Sequence, residues 1–404
     1  MASASPSWVI LDVVPRVSAA AAEGQTGDDD IALALAAPPR VTKLTVGPRV
    51  FPSDPDTQAR VPFPYVLASD PSGLLLAIAP PSKSERAPEE PRVWRAPDGT
   101  ERTVYIGRVS DPAYLVLDVP AGTASRVSDP DVQNSSSLGV IAAPGGGGAY
   151  MVVEFQSMVG SRDAELICFS SETGEWVEKE VANPLPRWIW TFYDVVSHDG
   201  KLWWVDRAAG ILACDPFADE PDMAYVPLPE EDGDDDEPHS GCGYCSERMA
   251  ATRRVVKLSD GKFRCVEMGC ARDGGAPTLT MRTLVDPATP KWTLEYQVNF
   301  AEIWAADSYK AAGLPEKAPV VALIHPKSPN VVYFFLEENI FGVDMPARKV
   351  VECAAHELDV ASSKGGASSS CVLAWELPQA LTAGLPEEVP DNGVKEELQV
   401  EKSS

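Results

Sequence analysis

Short apolar runs separated by turn residues recur along the chain, and several come in matched pairs. Val195-Val196-Ser197-His198 and Leu202-Trp203-Trp204-Val205 flank Asp199-Gly200-Lys201. Val255-Val256-Lys257-Leu258-Ser259 and Phe263-Arg264-Cys265-Val266 flank Asp260-Gly261-Lys262 in the same way. Asp-Gly between β-forming residues is a strong hairpin signal, because tight hairpin turns need positive φ and glycine supplies it without steric cost. Weaker copies surround these two. Val66-Leu67-Ala68 leads through Asp70 and Gly73 into Leu74–Ile78, Val140–Ala143 through Gly145–Gly148 into Tyr150–Val153, and Val320–Ile324 through His325 and Asn330 into Val331–Leu336.

A second hairpin follows the first in several of these units. Ile211–Cys214 ends at Asp215-Pro216, and Ile340–Val343 ends at Asp344, at the same offset from their preceding strands. Val104–Ile106 followed by Tyr114–Asp118 has nearly the same layout, and Thr283-Leu284-Val285-Asp286-Pro287 fits the end of another copy. An aspartate after a strand accepts hydrogen bonds from the amides of the next turn, and a nearby proline fixes the bend. Ala224–Val226, Trp292–Tyr296 and Lys349–Cys353 then supply a fourth strand. One such sheet cannot bury both faces alone, whereas radial packing of several does so and leaves only short edges. The expected fold is therefore all-β: a β-propeller-like repeat of four-stranded antiparallel sheets, about six blades. Five units lie between Tyr65 and Cys353, and strand-like segments at Ser7–Leu11, Arg40–Phe51 and Cys371–Trp375 are expected to share a closing blade.

Composition agrees and limits the functions available. The 404 residues are 44% hydrophobic and 23% charged, the balance of a globular chain, and 37 prolines disfavour long helices. The one helical signal of note, Ala301–Ala312, reads as an insertion between strands. A net charge of −26 argues against a nucleic-acid backbone or an anionic membrane as partner. Residues 7–378 are expected to form a single propeller-like domain, with an acidic insert loop at 230–241 and a disordered charged tail at 385–404. Neither a signal peptide nor a membrane-spanning segment is evident, so the expected location is intracellular, cytoplasm or nucleus, with reduced thiols.

Lys201–Asp206 through Cys214-Asp215-Pro216-Phe217 resembles a plant family expanded in grasses, catalogued as domain of unknown function 1618. So do Trp292–Tyr296 with Ala301-Glu302-Ile303-Trp304, Val331–Leu336 with Phe341–Asp344, and the opening Pro6–Asp12. The resemblance covers most of the chain and is densest over about 195–351. It implies no activity. Some members of the family look similar to the propeller region of F-box-associated proteins, but no F-box helices precede the first strands here, so an adaptor role in ubiquitin ligation gains little.

The chemistry-bearing residues form no catalytic constellation. Cys242-Gly243-Tyr244-Cys245, with Cys265 and Cys270 downstream and His239 nearby, has the spacing of a structural zinc site. Cys265 falls within a strand, however, where a thiol packs as a small apolar group, and Cys168 and Cys214 read the same way. No metal site, cofactor or catalytic residue is assigned. His198, His239, His325 and His356 lie in or beside turns, and Gly145–Gly148 lacks the context of a phosphate loop. The densest aromatic stretch, Trp188-Ile189-Trp190-Thr191-Phe192-Tyr193 with Trp203-Trp204, must divide between core and surface, because successive strand residues face opposite ways. The expected function is a non-enzymatic scaffold that binds a protein or peptide. The alternative is a small-ligand-binding or hydrolytic enzyme using one propeller face, with residues the sequence does not identify.

Overall fold

The computed structural model describes residues 6–17, 30–52, 55, 63–83, 90–95, 101–106, 111–128, 132–229, 253–269, 275–358 and 367–382. The acidic run at 230–241, His239, Cys242, Cys245, Cys270 and the tail at 385–404 lie outside them.

The strands follow the chain in order. β1 (Trp8–Asp12), β2 (Arg16–Val17), β3 (Ile31–Ala34) and β4 (Val41–Val46) come first. The next unit holds β5 (Tyr65–Ser69), β6 (Leu74–Ala79), a side hairpin of β7 (Glu90–Arg95) and β8 (Glu101–Ile106), then β9 (Ala113–Asp118) and β10 (Thr123–Arg126). Two further units are β11 (Leu138–Ala142), β12 (Tyr150–Ser157), β13 (Asp163–Ser170), β14 (Trp176–Ala182), and β15 (Asp194–His198), β16 (Lys201–Asp206), β17 (Gly210–Cys214), β18 (Ala224–Pro227). The last two are β19 (Arg254–Ser259), β20 (Lys262–Met268), β21 (Thr278–Asp286), β22 (Lys291–Asn299), and β23 (Val320–Ile324), β24 (Val331–Leu336), β25 (Asn339–Asp344), β26 (Lys349–Ala355). β27 (Val372–Glu376) ends the series.

Each unit is an antiparallel meander, and the termini meet. β27 pairs antiparallel with β1, and β4 lies parallel on the other side of β1, so the closing blade is built from both ends of the chain as expected. One early expectation is corrected. β8 pairs with β7, and β9 pairs with β6 rather than with the Val104–Ile106 strand. β6 is buried at all six positions, so it needs a neighbour along both edges, and β5 and β9 supply them. The β7–β8 hairpin is an insertion that imitates the repeat.

Burial explains why the units assemble. β16 reads Lys201-Leu202-Trp203-Trp204-Val205-Asp206 and is buried everywhere after its first residue. Strand alternation sends Leu202 and Trp204 towards the β11–β14 sheet, where they pack with Val153 and Leu166. It sends Trp203 and Val205 the other way, against Val256 and Phe263 of the β19–β22 sheet. The same holds round the molecule: each of the six apolar clusters draws side chains from two consecutive blades, and the cluster of Trp8 and Ile10 with Tyr333 and Phe335 joins the last blade back to the first. A closed ring of face-to-face sheets is the β-propeller arrangement.

The turns follow the sequence signals. Asp199-Gly200 and Asp260-Gly261 all take positive φ, as a two-residue primed turn requires. The closing aspartates cap their own turns: Asp118 Oδ1 accepts from Ala121 N, Asp215 Oδ1 from Phe217 N, Asp286 Oδ1 from Ala288 N and Asp344 Oδ1 from Ala347 N, at 2.9–3.0 Å. The β13–β14 turn uses Ser170 instead. α1 (Phe300–Ala305) and α2 (Asp307–Ala311) are inserted after β22, where Phe300, Ile303 and Tyr309 pack on Phe334 and Phe341.

Candidate functional site

Inner strands meet at two ends. At one, Asp70 follows β5 and joins three blades: its Oδ2 accepts from Ser197 Oγ of β15 at 2.6 Å and from Ala142 N of β11 at 3.1 Å. β5 and β15 also share a direct parallel pairing, Val196 to Ser69. Beside this hub, Ser259 Oγ donates to His325 O, joining the ends of β19 and β23. At the opposite end, Asp194 opens β15 and receives Arg207 Nη2 at 3.3 Å and Lys257 Nζ from the next blade. The Arg207 guanidinium lies 4.6 Å from the centre of the Tyr193 ring.

A pocket of about 110 Å³ lies between the β11–β14 blade and the connector that leads into β15. Its polar side comprises Gln133, Asn134, Glu154, Gln156 and Ser157, and its apolar side is formed by Val159, Trp188, Ile189, Trp190 and Phe192 with Phe155. The connector from β14 to β15 carries the aromatic wall and is held at two points. Asn183 Oδ1 accepts from Trp190 Nε1 and Leu185 N, while Asn183 Nδ2 donates to Ser161 O. Asp206, wholly buried at the end of β16, accepts from Trp188 Nε1 and Thr191 N through Oδ2, and from Ala208 N and Ala209 N through Oδ1. A carboxylate that satisfies four donors is a strong anchor, so the wall is a preformed surface rather than a loose loop.

Glu154 anchors the other wall. It is fully buried, and it accepts from Asn134 N at 2.6 Å, Gln133 N at 3.3 Å, Gln156 Nε2 at 2.8 Å and Ser137 Oγ at 3.4 Å. Burial raises its pKa above the ordinary glutamate value, against the lowering effect of those four hydrogen bonds. The rim of the pocket is apolar and exposed. Val159 is 57% exposed and Ile189 50%, the adjoining Met158 is exposed too, and Gly160 N donates to Pro186 O at 2.6 Å, which sets the β12–β13 turn beside the aromatic connector.

Strand alternation divides Trp203 from Trp204, which face opposite neighbouring blades, whereas Trp188–Tyr193 lie in the connector between β14 and β15 and not in a strand as that expectation required. Trp190, Phe192, Trp203 and Trp204 are buried between blades, with Trp204 Nε1 donating to Ser137 O at 2.7 Å. Trp188 is half-buried, and Ile189 and Tyr193 are exposed. Glu154 and Asp206 escaped the sequence reading because their partners come from other segments. The nearest signal was the density of rings around Trp188. Cys168, Cys214 and Cys265 are buried in strands as read from the sequence. Cys242 and Cys245 lie outside the described residues.

The sheets and the apolar clusters between them define a β-propeller-type protein. Residues 204–333 match the model of the family described as protein of unknown function (DUF1618), which bears out the family resemblance over that stretch. A putative F-box/kelch-repeat protein of Arabidopsis thaliana is 24% identical over 182 residues, 44% of this chain and 36% of that protein. The chain thus matches about a third of that relative's length. Solved structures overlap loosely. A chain of the mitotic checkpoint complex gives a TM-score of 0.31 at 11% identity, with 75% of this chain and 66% of that one covered. An arabinanase of Penicillium chrysogenum complexed with arabinobiose gives 0.31 at 13%, with 72% and 89% covered. YCF48 bound to D1 peptide gives 0.29 at 10%, with 61% and 62% covered. The fold assignment rests on the chain's own sheets and clusters.

Proposed function

We propose that this protein is a scaffold that binds a protein or peptide segment across the junction of the β11–β14 and β15–β18 blades, and that residues 7–378 act as one domain. The observation that carries this reading is the exposure of the apolar side chains Val159 and Ile189 in the lining of a pocket whose walls are already fixed by buried hydrogen bonds. Exposed, contiguous apolar side chains beside a preformed depression are the mark of an interaction surface. The pocket is smaller than the roughly 300–1,000 Å³ typical of sites for small organic ligands, and suits a single anchoring side chain. Its lining holds one carboxylate and no histidine, which disfavours the hydrolytic alternative. No helix among the described residues is long and apolar enough to cross a membrane. The reading places the protein in the cytoplasm or nucleus, where its partner would be found.

The test is proximity labelling with co-purification from plant tissue, run in parallel with Ile189→Asp and Val159→Asp chains of unchanged thermal stability. A reproducible partner that both substitutions remove supports the docking face. A partner retained by both variants refutes it.

A further inference from the structure

We propose that the outer edge of β14 takes up an extended, basic segment of a partner protein as an added antiparallel strand, with two lysine or arginine side chains, two residues apart, beside Glu178 and Glu180. This contact is separate from the pocket and does not depend on it.

The backbone of β14 is open for pairing. It is the last strand of its sheet and pairs with β13 through seven consecutive residues without a shift, from Trp176 opposite Phe169 to Ala182 opposite Asp163. The phase of the ladder is fixed at its two ends, where Ser170 N donates to Glu175 O and Asn183 N donates to Arg162 O. Antiparallel alternation then turns the backbone groups of Val177, Lys179 and Val181 towards β13, and those of Trp176, Glu178, Glu180 and Ala182 outwards. Among the described residues nothing bonds to these outward groups. The outer strands of the other blades are short or interrupted over the same residues. β2 has two residues, β3, β10 and β18 have four each, and β18 ends at Pro227. β22 carries Glu295 and β26 carries Val351 as extra residues at shifts in register. Short length, a proline or a bulge each discourages a further strand, and β14 has none of them.

Charge selects the occupant. Glu178 and Glu180 are exposed on one face of β14, and Glu165 of β13, also exposed, lies directly opposite Glu180. By the same alternation Glu165 and Glu180 form a non-hydrogen-bonded pair, the kind whose side chains stand closer, and like charges so placed repel. Among the described residues no cation pairs with any of the three. Lys179, the one lysine of β14, lies on the opposite face and donates to Pro216 O and Ala218 O of the next blade at 2.9 and 2.8 Å. A second copy of this chain set edge to edge would add acid to acid, so the charges that leave the edge open to a basic strand close it to self-association. A residue of the added strand opposite Glu180 shares its face, and a lysine or arginine there relieves the repulsion; a second, two residues on, does the same for Glu178. Val177, 52% exposed on the other face, gives an apolar contact to the residue opposite it. The net charge of −26 draws a basic segment towards the chain over longer range.

The experiment uses the full chain and the end-capped peptide Thr-Val-Lys-Thr-Lys-Val-Thr, with hydrogen–deuterium exchange read residue by residue over 176–182. The outward amides of Trp176, Glu178, Glu180 and Ala182 are expected to exchange about tenfold or more slowly at saturating peptide, because each gains an acceptor. Norleucine in place of both lysines keeps the stems and removes the charges, and should bind about fivefold or more weakly; glutamate in their place should give no protection. The lysine peptide N-methylated at both lysine nitrogens keeps its charge but cannot donate to the edge, and should give no protection either. In Glu180→Gln, at an exposed position, lysine-peptide binding should weaken about twofold or more while norleucine-peptide binding is unaltered. Ile189→Asp should leave the protection unchanged, which separates this edge from the pocket. Equal protection by the lysine and norleucine peptides overturns the basic occupant. Equal protection by the N-methylated peptide, or protection confined to residues outside 176–182, overturns strand addition. Absence of protection by any peptide overturns the proposal and leaves the docking face to its own test.

Discussion

Replacing Asp70 by alanine removes a side chain that joins three blades at the end of their inner strands. Asp70 is 5% exposed, and its Oδ2 receives Ser197 Oγ at 2.6 Å and Ala142 N at 3.1 Å while Oδ1 receives Ser72 N at 2.8 Å. In Asp70→Ala the Ser72 amide, on an exposed turn, regains water. Ser197 is buried and Ala142 half-buried, so their two donors lose an acceptor with little access to solvent. A buried donor left unpaired costs about 1–3 kcal/mol. The expected loss is therefore about 3–4 kcal/mol. Asp70→Asn keeps one oxygen for Ser197 and Ala142 and turns its amide towards the exposed Ser72, so about 1–1.5 kcal/mol is expected. Ser197→Ala removes a donor without stranding one and should cost about 1 kcal/mol. The assay is equilibrium urea unfolding followed by tryptophan fluorescence, with midpoints compared at a common slope. A double-mutant cycle between Asp70 and Ser197 should return a coupling of about 1–2 kcal/mol. An Asp70→Ala chain within about 0.5 kcal/mol of the wild type, at unchanged slope, would refute the hub.

Four further outcomes are expected. A Cβ on Gly139 would stand 2.6 Å from Val195 Cγ1 and 3.0 Å from Leu202 Cδ2, so Gly139→Ala should destabilise by about 1–3 kcal/mol, and Val195→Ala should recover part of the loss in the double variant. Burial pushes the Cys168 thiol up to about 11 and those of Cys214 and Cys265 up to about 12, so thiol reagents at neutral pH should spare all three in the folded chain; modification of native Cys265 seen by mass spectrometry would contradict the packing between blades. His325 has its pKa lowered by burial and accepts from Lys327 N and Ser328 N through Nδ1, so the folded state prefers the neutral ring. Its contribution is present above the ordinary histidine value of about 6.5 and lost as pH falls below it, and His325→Asn, which can accept from the same amides without titrating there, should flatten that part of the stability profile. Glu154 has the opposite sign: its raised pKa makes the folded state hold the proton more firmly, so stability declines as pH rises above the ordinary glutamate value, and Glu154→Gln should remove that decline in thermal melts across the acidic range.

The fold was legible because its signals are local. Asp199-Gly200 and Asp260-Gly261 specify their turns within two residues, and the runs on either side of them are the strands that pair. The offset from Trp203 to Asp215 matches that from Val332 to Asp344 because each spans one hairpin. The error at Val104–Ile106 has the same origin. A hairpin inserted in a loop carries the same local marks as one in the repeat, and only the burial of β6 on both edges distinguishes them. Sheet order depends on contacts between distant segments, which short-range pattern does not encode.

The acidic side chains divide along the same line. Asp118, Asp215, Asp286 and Asp344 bond to amides two or three residues ahead, and their recurrence after successive strands identifies them as turn-forming. Asp70 and Asp206 also bond to amides two or three residues ahead, but each reaches a distant segment as well, as Glu154 does: Asp70 to Ser197, Asp206 back to Trp188, Glu154 back to Asn134. Nothing in their immediate neighbours sets these apart from the repeated kind. Yet Asp206 and Glu154 build the surface. Asp206 holds the aromatic connector against one blade and Glu154 holds the 133–137 segment against the next, so the pocket exists where two long-range anchors face each other. Asp206 gives Oδ2 to the connector and Oδ1 to the β16–β17 turn, and Glu154 divides its oxygens between the 133–137 segment and Gln156, so each carboxylate ties one wall of the pocket to the sheet behind it.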